Sequence, residues 1–213
     1  MSPSLDLSLY LVIGSDVTAG RRVDDVAREA VAGGVTAVQL REKHLPTRLF
    51  VEQARTLVAL LRPLGIPLIV NDRLDVALAA DADGVHVGQD DMMAADVRRL
   101  VGRRMVVGLS VTTLDEAKRV DADIVDYVGI GPVFATSTKL DAARPLGLEG
   151  TAAICRVLRV PAVAIGGIDA DTAAAILAAG VQGIAVVSAI CSAVQPREAA
   201  AGLALGQKSP RPA

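Results

Sequence analysis

Aromatic residues make up only 2% of this 213-residue chain, and there is no tryptophan. Stacking platforms for single-stranded nucleic acid are therefore excluded, and the core must be built from Ala, Val, Leu and Ile. No charge of one sign dominates either. Lys and Arg number 22 against 24 Asp and Glu, for a formal charge of -2. A broadly basic nucleic-acid surface is ruled out, and any anion site must be local. Cysteine is scarce: Cys155 and Cys191 lie in apolar runs without C-x-x-C spacing, which argues against zinc or a disulfide framework and for two buried thiols. The first residues carry no basic stretch followed by an apolar one, so no secretory signal is read and a cytoplasmic location is expected. Residues 173–194 lack any charge, at a length that could span a bilayer. Their alanine richness and the internal Gly180, Gln182 and Gly183 instead predict a buried helix, a turn and a buried strand, with no membrane partner.

What is present is alternation. Eight short apolar runs, at 9–14, 37–43, 67–72, 84–88, 105–111, 127–133, 161–168 and 183–188, read as strands buried on both faces. Between and after them, eight helical patterns fall at 23–32, 47–61, 74–80, 92–101, 114–120, 148–158, 171–179 and 197–205. Thr113 opens a Thr-x-x-Glu capping box with Glu116, Asp169 precedes the seventh helix, and Gly33-Gly34, Gly65, Gly102 and Gly180 mark helix ends. A weak repeat leads into three even-numbered strands: Gly34 to Val38, Asp81 to Val85 and Gly180 to Ile184. Eight units of about 27 residues predict an α/β fold, a single-domain (β/α)8 TIM barrel of parallel strands over 1–206, with a frayed tail at 207–213. A doubly wound sheet fits less well, because Gly14-Ser15-Asp16 offers no glycine-rich fingerprint.

In such a barrel the chemistry lies at the C-terminal strand ends. The second strand ends Gln39-Leu-Arg41-Glu-Lys43, and alternation places Gln39, Arg41 and Lys43 on one side. The third ends Asn71-Asp72, the fourth runs from His86 to Asp91, and the fifth carries Ser110. The sixth leads into Thr136-Ser137-Thr138-Lys139, the seventh ends Gly166-Gly167, and the eighth Val187-Ser188. Singly these are ordinary rim charges and caps. Together, Arg41, Lys43 and Lys139 supply positive charge for a phosphorylated ligand, and Asp72 and Asp91 supply hard oxygens suited to Mg²⁺. Carboxylates beside a diphosphate repel it by roughly 4 kcal/mol at about 4 Å, which calls for a cation between them. The glycines of the seventh strand and the end of the eighth suggest a second phosphate subsite, with a tight bend as the plainer explanation of Gly-Gly. His86, between Val85 and Val87, is read as a packed, hydrogen-bonded core histidine rather than a base.

These motifs resemble the thiamine-phosphate synthase family. The resemblance rests on Gln39-Leu-Arg-Glu-Lys43, Val70-Asn-Asp72, Gly84-Val-His-Val-Gly-Gln-Asp-Asp91 and Gly108-Leu-Ser-Val111. It continues through Asp126-Tyr-Val-Gly-Ile-Gly-Pro-Val-Phe134 with Thr136-Ser-Thr-Lys139, Ala164-Ile-Gly-Gly-Ile168 and Val187-Ser-Ala-Ile190. It implies an Mg²⁺-dependent transferase that joins hydroxymethylpyrimidine diphosphate to thiazole phosphate, or its carboxylated form, and releases diphosphate. By the same resemblance, Gln39, Arg41, Lys43, Asn71, Ser110 and Lys139 hold the pyrimidine diphosphate, and Asp72 and Asp91 hold the metal. Thr136, Ser137, Thr138, Gly167, Val187 and Ser188 hold the thiazole phosphate, with Arg41, Lys43, Lys139 and Ser110 acting in catalysis. Two departures stand out: His44 where the family commonly carries an acidic residue, and Asp90 where Glu is common. Two other readings remain open at this point, a thiazole tautomerase-like isomerase and a non-catalytic barrel that binds thiamine phosphate. A homo-oligomer is also left open, as is closure of the segment 135–145 over substrates.

Overall fold

The computed structural model describes residues 5–136 and 144–206. The expected tail at 207–213 and most of the segment 135–145 lie outside the described residues. Eight parallel strands close into a barrel in chain order: β1 (Leu9–Ile13), β2 (Ala37–Leu40), β3 (Leu68–Asn71), β4 (Gly84–Val87), β5 (Val106–Val111), β6 (Tyr127–Ile130), β7 (Ala162–Ile165) and β8 (Gly183–Val186). Closure is direct, with Tyr10 of β1 in register with Ala37 of β2 on one side and Ala185 of β8 on the other.

The helices are α1 (Val23–Ala32), α2 (Thr47–Leu61), α3 (Leu74–Ala80), α4 (Ala94–Val101), α5 (Leu114–Lys118), α6 (Gly147–Val157), α7 (Ala173–Ala178), α8 (Ser188–Cys191) and α9 (Pro196–Gly206). The first three match the expected bounds, and the capping box of Thr113 and Glu116 opens α5 as read. Asp169 behaves differently from a simple cap. Its carboxylate accepts from the Asp171 and Thr172 amides and the Thr172 hydroxyl, and the helix begins only after that turn. α8 falls outside the expected helices, and only its first residue, Ser188, lies within the expected strand at 183–188. Among the described residues no helix is long and apolar enough to cross a membrane. Cys191 is buried as expected, whereas Cys155 is only half-buried.

Apolar packing divides into two layers. The larger fills the space between strands and helices, and the smaller fills the barrel interior with Leu7, Tyr10, Val12, Ala37, Ile69, Val106, Tyr127, Val163 and Ala185. Side chains two residues apart on a strand share a face, so Gln39 follows Ala37 inward and Asn71 follows Ile69.

The opposite end of the barrel explains the repeat. Thr36, Asp83, Asp126 and Gln182 each stand immediately before an even-numbered strand. Each donates its amide to a carbonyl of the preceding odd strand, at Leu9, Leu68, Val107 and Ala162 respectively. Each side chain then accepts from the amide of that same residue, at 3.0, 2.9, 2.7 and 2.5 Å. The repeat therefore encodes three of four two-bond stitches, which join β1 to β2, β3 to β4, β5 to β6 and β7 to β8. Asp126 is the member that the sequence pattern did not reveal.

Candidate active site

A cavity of about 500 Å³ opens at the C-terminal end of the barrel. Strands β2 to β5 line it with Gln39, Arg41, Asn71, His86 and Ser110, and the ends of β6 to β8 face them with Thr136, Gly166, Gly167, Val187 and Ser188. Eight of the nominated residues thus reach one cavity. Arg41 has no ion-pair partner among the described residues, so its charge is available to an anion. Asn71 is 9% exposed yet lines the cavity, an amide placed for a ligand rather than for solvent. Ser137, Thr138 and Lys139 lie outside the described residues.

Lys43, Asp72 and Asp91 are not part of the cavity wall. β2 ends at Leu40, so the alternation that would have aimed Lys43 beside Gln39 stops before it. Lys43 Nζ instead donates to Asp72 Oδ2 at 2.6 Å. Asp72 adopts a left-handed backbone conformation with φ 60°, and its amide donates to the His86 carbonyl. Burial raises the Asp72 carboxyl above its ordinary range, Lys43 opposes that, and the Asp91 carboxyl within hydrogen-bonding reach adds to it. Asp91 Oδ2 also accepts from the Gly88 amide at 2.8 Å.

Two carboxylates facing each other form an anionic pair that a divalent cation would relieve. Among the described residues no group of three or more His, Cys, Asp or Glu could hold a metal ion. Two carboxylates nevertheless fit Mg²⁺, which keeps several waters and takes one or two carboxylates together with substrate phosphates.

Gly166 and Gly167 have φ 103° and 66°. A Cβ at Gly166 would meet Pro132, and one at Gly167 would meet Phe134 and the Ala135 carbonyl. Close approach of the segment after β6 thus accounts for both glycines, while leaving them on the cavity wall.

Beneath the mouth lies a buried polar chain that sequence reading missed in part. His86 was read as a hydrogen-bonded core histidine, and it is: Nδ1 is 2.9 Å from the Tyr127 hydroxyl and Nε2 is 2.9 Å from Ser110 Oγ. Tyr10 and Tyr127 were not singled out, because a tyrosine within an apolar strand looks like core. The signal available was their inward parity with Val12 and Gly129. Burial lowers the His86 pKa to about 4, against a smaller opposing pull from Asp91.

The unfolded ring protonates below about 6.5 while the folded one stays neutral to about 4, so the unfolded state binds more protons between those values. Stability therefore falls with pH in that window. The expected loss from pH 7 to pH 5 is about 2 kcal/mol, measured by urea unfolding and absent from the pH dependence of His86→Asn. Equal pH dependence in both proteins would contradict the burial argument.

The family model described as thiamine monophosphate synthase matches residues 9–190. The thiamine-phosphate synthase of Solidesulfovibrio magneticus is 57% identical over 94% of this chain and 95% of its own length. That of Azorhizobium caulinodans is 50% identical over 94% of each. Among solved structures, thiamine phosphate pyrophosphorylase from Pyrococcus furiosus superposes with a TM-score of 0.87 at 39% identity, covering 96% of both chains. A 3-hexulose-6-phosphate synthase, with a TM-score of 0.67 at 20% identity, shares the fold alone. Sequence and structure agree along almost the whole chain, and it belongs to the thiamine monophosphate synthase family.

Proposed function

We propose that this chain is a cytoplasmic thiamine-phosphate synthase that couples hydroxymethylpyrimidine diphosphate to thiazole phosphate, forming thiamine phosphate and diphosphate. The observation that carries this reading is a single cavity whose two halves bear different chemistry. The β2 to β5 side presents two amides, a hydroxyl and Arg41, which has no ion-pair partner among the described residues, and the β6 to β8 side presents Thr136, Gly167, Val187 and Ser188. One half suits a polar ring carrying a diphosphate, and the other a second phosphate.

In the reaction the bond from the pyrimidine methylene to diphosphate breaks, the diphosphate leaves with the electron pair, and the thiazole nitrogen captures the resulting cation through its lone pair. That nitrogen carries no proton, so no general base is required. The cavity agrees, since the one histidine lining it has both ring nitrogens engaged by hydroxyls. Arg41 and Lys139 stabilise charge accumulating on the departing diphosphate, and Lys43 joins them once released from Asp72. Asp72 and Asp91 are the residues that would hold Mg²⁺, which when bound supplies further neutralisation of the leaving group. The cavity walls align the two substrates and exclude water, which would otherwise trap the cation.

The deciding experiment supplies both substrates with and without Mg²⁺ and measures thiamine phosphate and diphosphate. Equimolar, Mg²⁺-dependent formation supports the proposal, and no product despite binding of both substrates defeats it. Lys139→Ala is expected to reduce turnover by about 10²-fold, the scale for losing a preorganised electrostatic donor. Steady-state kinetics with an unchanged rate would remove Lys139 from the mechanism.

A further inference from the structure

Gln39 and Ser110 face the cavity from different strands without touching, but a continuous hydrogen-bonded chain joins them. Gln39 Nε2 donates to the Tyr10 hydroxyl at 3.0 Å, and the Tyr10 and Tyr127 hydroxyls are 2.8 Å apart. The Tyr127 hydroxyl meets His86 Nδ1 at 2.9 Å, and His86 Nε2 meets Ser110 Oγ at 2.9 Å. The five side chains come from β2, β1, β6, β4 and β5, so the chain crosses the barrel interior rather than following its wall. The backbone makes room for it. A Cβ at Gly108 would overlap the Tyr127 ring and His86 Nδ1, and one at Gly129 would stand 3.2 Å from His86 Cε1.

We propose that this chain has one direction, from Gln39 to Ser110, and that Tyr127 and His86 are positioning residues that make Ser110 a hydrogen-bond donor to the cavity. The argument is a count of hydrogens. Each hydroxyl has one to give. The Gln39 amide occupies a lone pair on Tyr10, and Tyr10, 1% exposed, can place its own hydrogen only on Tyr127. Tyr127 then gives its hydrogen to Nδ1, which must be the bare nitrogen of a neutral ring. The ring proton is on Nε2 and goes to Ser110 Oγ. The Ser110 hydrogen remains, and Ser110 lines the cavity. Running the chain the other way would put two donors on Tyr10 and bury its own hydrogen without an acceptor, the costly arrangement. Rotating the Gln39 amide by half a turn would reverse every link together and make Ser110 an acceptor. The two ends are thus coupled: with Nε2 toward Tyr10, Gln39 offers a ligand Oε1 and its second N–H while Ser110 donates, and with the amide rotated Ser110 accepts instead. A diphosphate offers acceptors and no strong donor, so it selects the direction inferred here. The direction in the free protein rests on the Gln39 amide orientation, with Nε2 toward Tyr10; only the selection by diphosphate rests on the proposed function.

The test is nitrogen NMR of the full chain labelled at histidine, with His44→Gln used to assign the two rings. The expected result is a proton on Nε2 of His86 and a bare, hydrogen-bonded Nδ1. Tyr127→Phe should move the Nδ1 resonance toward that of an unbonded imidazole while Nε2 keeps its proton. In steady-state assays it should raise KM for pyrimidine diphosphate about 5- to 10-fold and leave KM for thiazole phosphate unchanged. A merely structural role would shift both KM values together. A proton on Nδ1 in the unsubstituted protein overturns the inference even if the enzyme is active, and needs no variant to fold. Absence of product with the proton on Nε2 would instead defeat the proposed function and leave the chain's direction standing.

Discussion

Replacing Arg98 with Met is expected to lower the free energy of unfolding by about 3–5 kcal/mol. Arg98 of α4 is 9% exposed and makes four hydrogen bonds to the protein. Nε donates to the Ile124 carbonyl, Nη1 to the Gly102 and Met105 carbonyls, and Nη2 to Asp126 Oδ2. Methionine can fill the space but donates to none of them, so three carbonyls and a largely buried carboxylate lose their partner together. Asp126 would keep only the Val107 amide. Exposed pairs such as Arg62 with Asp81 offer the contrast, since ion pairs of that kind contribute about 0–1 kcal/mol. Urea unfolding checks the prediction through the midpoint at constant slope. A change as small as that of an exposed pair would mean that water or neighbouring groups replace the guanidinium. Because Arg98 is remote from the cavity wall, kcat in the folded variant should be preserved.

Asp72→Asn is expected to do the opposite, reducing turnover by about 10²- to 10³-fold without loss of stability. Asparagine tolerates the left-handed backbone that position 72 requires, so the substitution changes charge with little strain. In the ligand-free protein Asp72 is held against its preference, with burial and Asp91 both disfavouring its charged form. Neutralising it should leave the unfolding midpoint unchanged or slightly raised. The same change removes one of the two carboxylates proposed for Mg²⁺, so the Mg²⁺ concentration giving half-maximal rate should rise. Titrating Mg²⁺ in assays of both proteins decides the matter. Wild-type Mg²⁺ dependence in the variant would move the metal to other ligands.

The barrel was legible because its signals are local. Apolar runs of strand length alternate with amphipathic ones, and the turn and cap residues between them agree, so α1, α2 and α3 fall at the expected residues. Strand ends were less legible. Residues 41–43, 131–133 and 166–168 continue the apolar or alternating pattern, yet they lie beyond the paired strands, where Arg41, Gly131, Pro132, Gly166, Gly167 and Ile168 line the cavity and Lys43 does not. That difference turned Lys43 toward Asp72. Gln39, Asn71 and Ser110 could be placed because strand parity survives to the last paired residue, and Arg41 lines the cavity just beyond it. The chain through Tyr10, Tyr127 and His86 could not, since it links five strands that become neighbours across the interior only when the barrel closes.

The four stitches at the far end of the barrel pair β1 with β2, β3 with β4, β5 with β6 and β7 with β8, and none spans the gap between pairs. The ring is therefore divided into quarters by where its covalent connections can be cut and rejoined. A circular permutant with new termini between β2 and β3, or between β4 and β5, keeps each stitched pair on a continuous stretch of chain. One opened between β3 and β4 must re-form the Asp83 to Leu68 contacts between opposite ends of the polypeptide, and the same sequence should refold more slowly from that starting point.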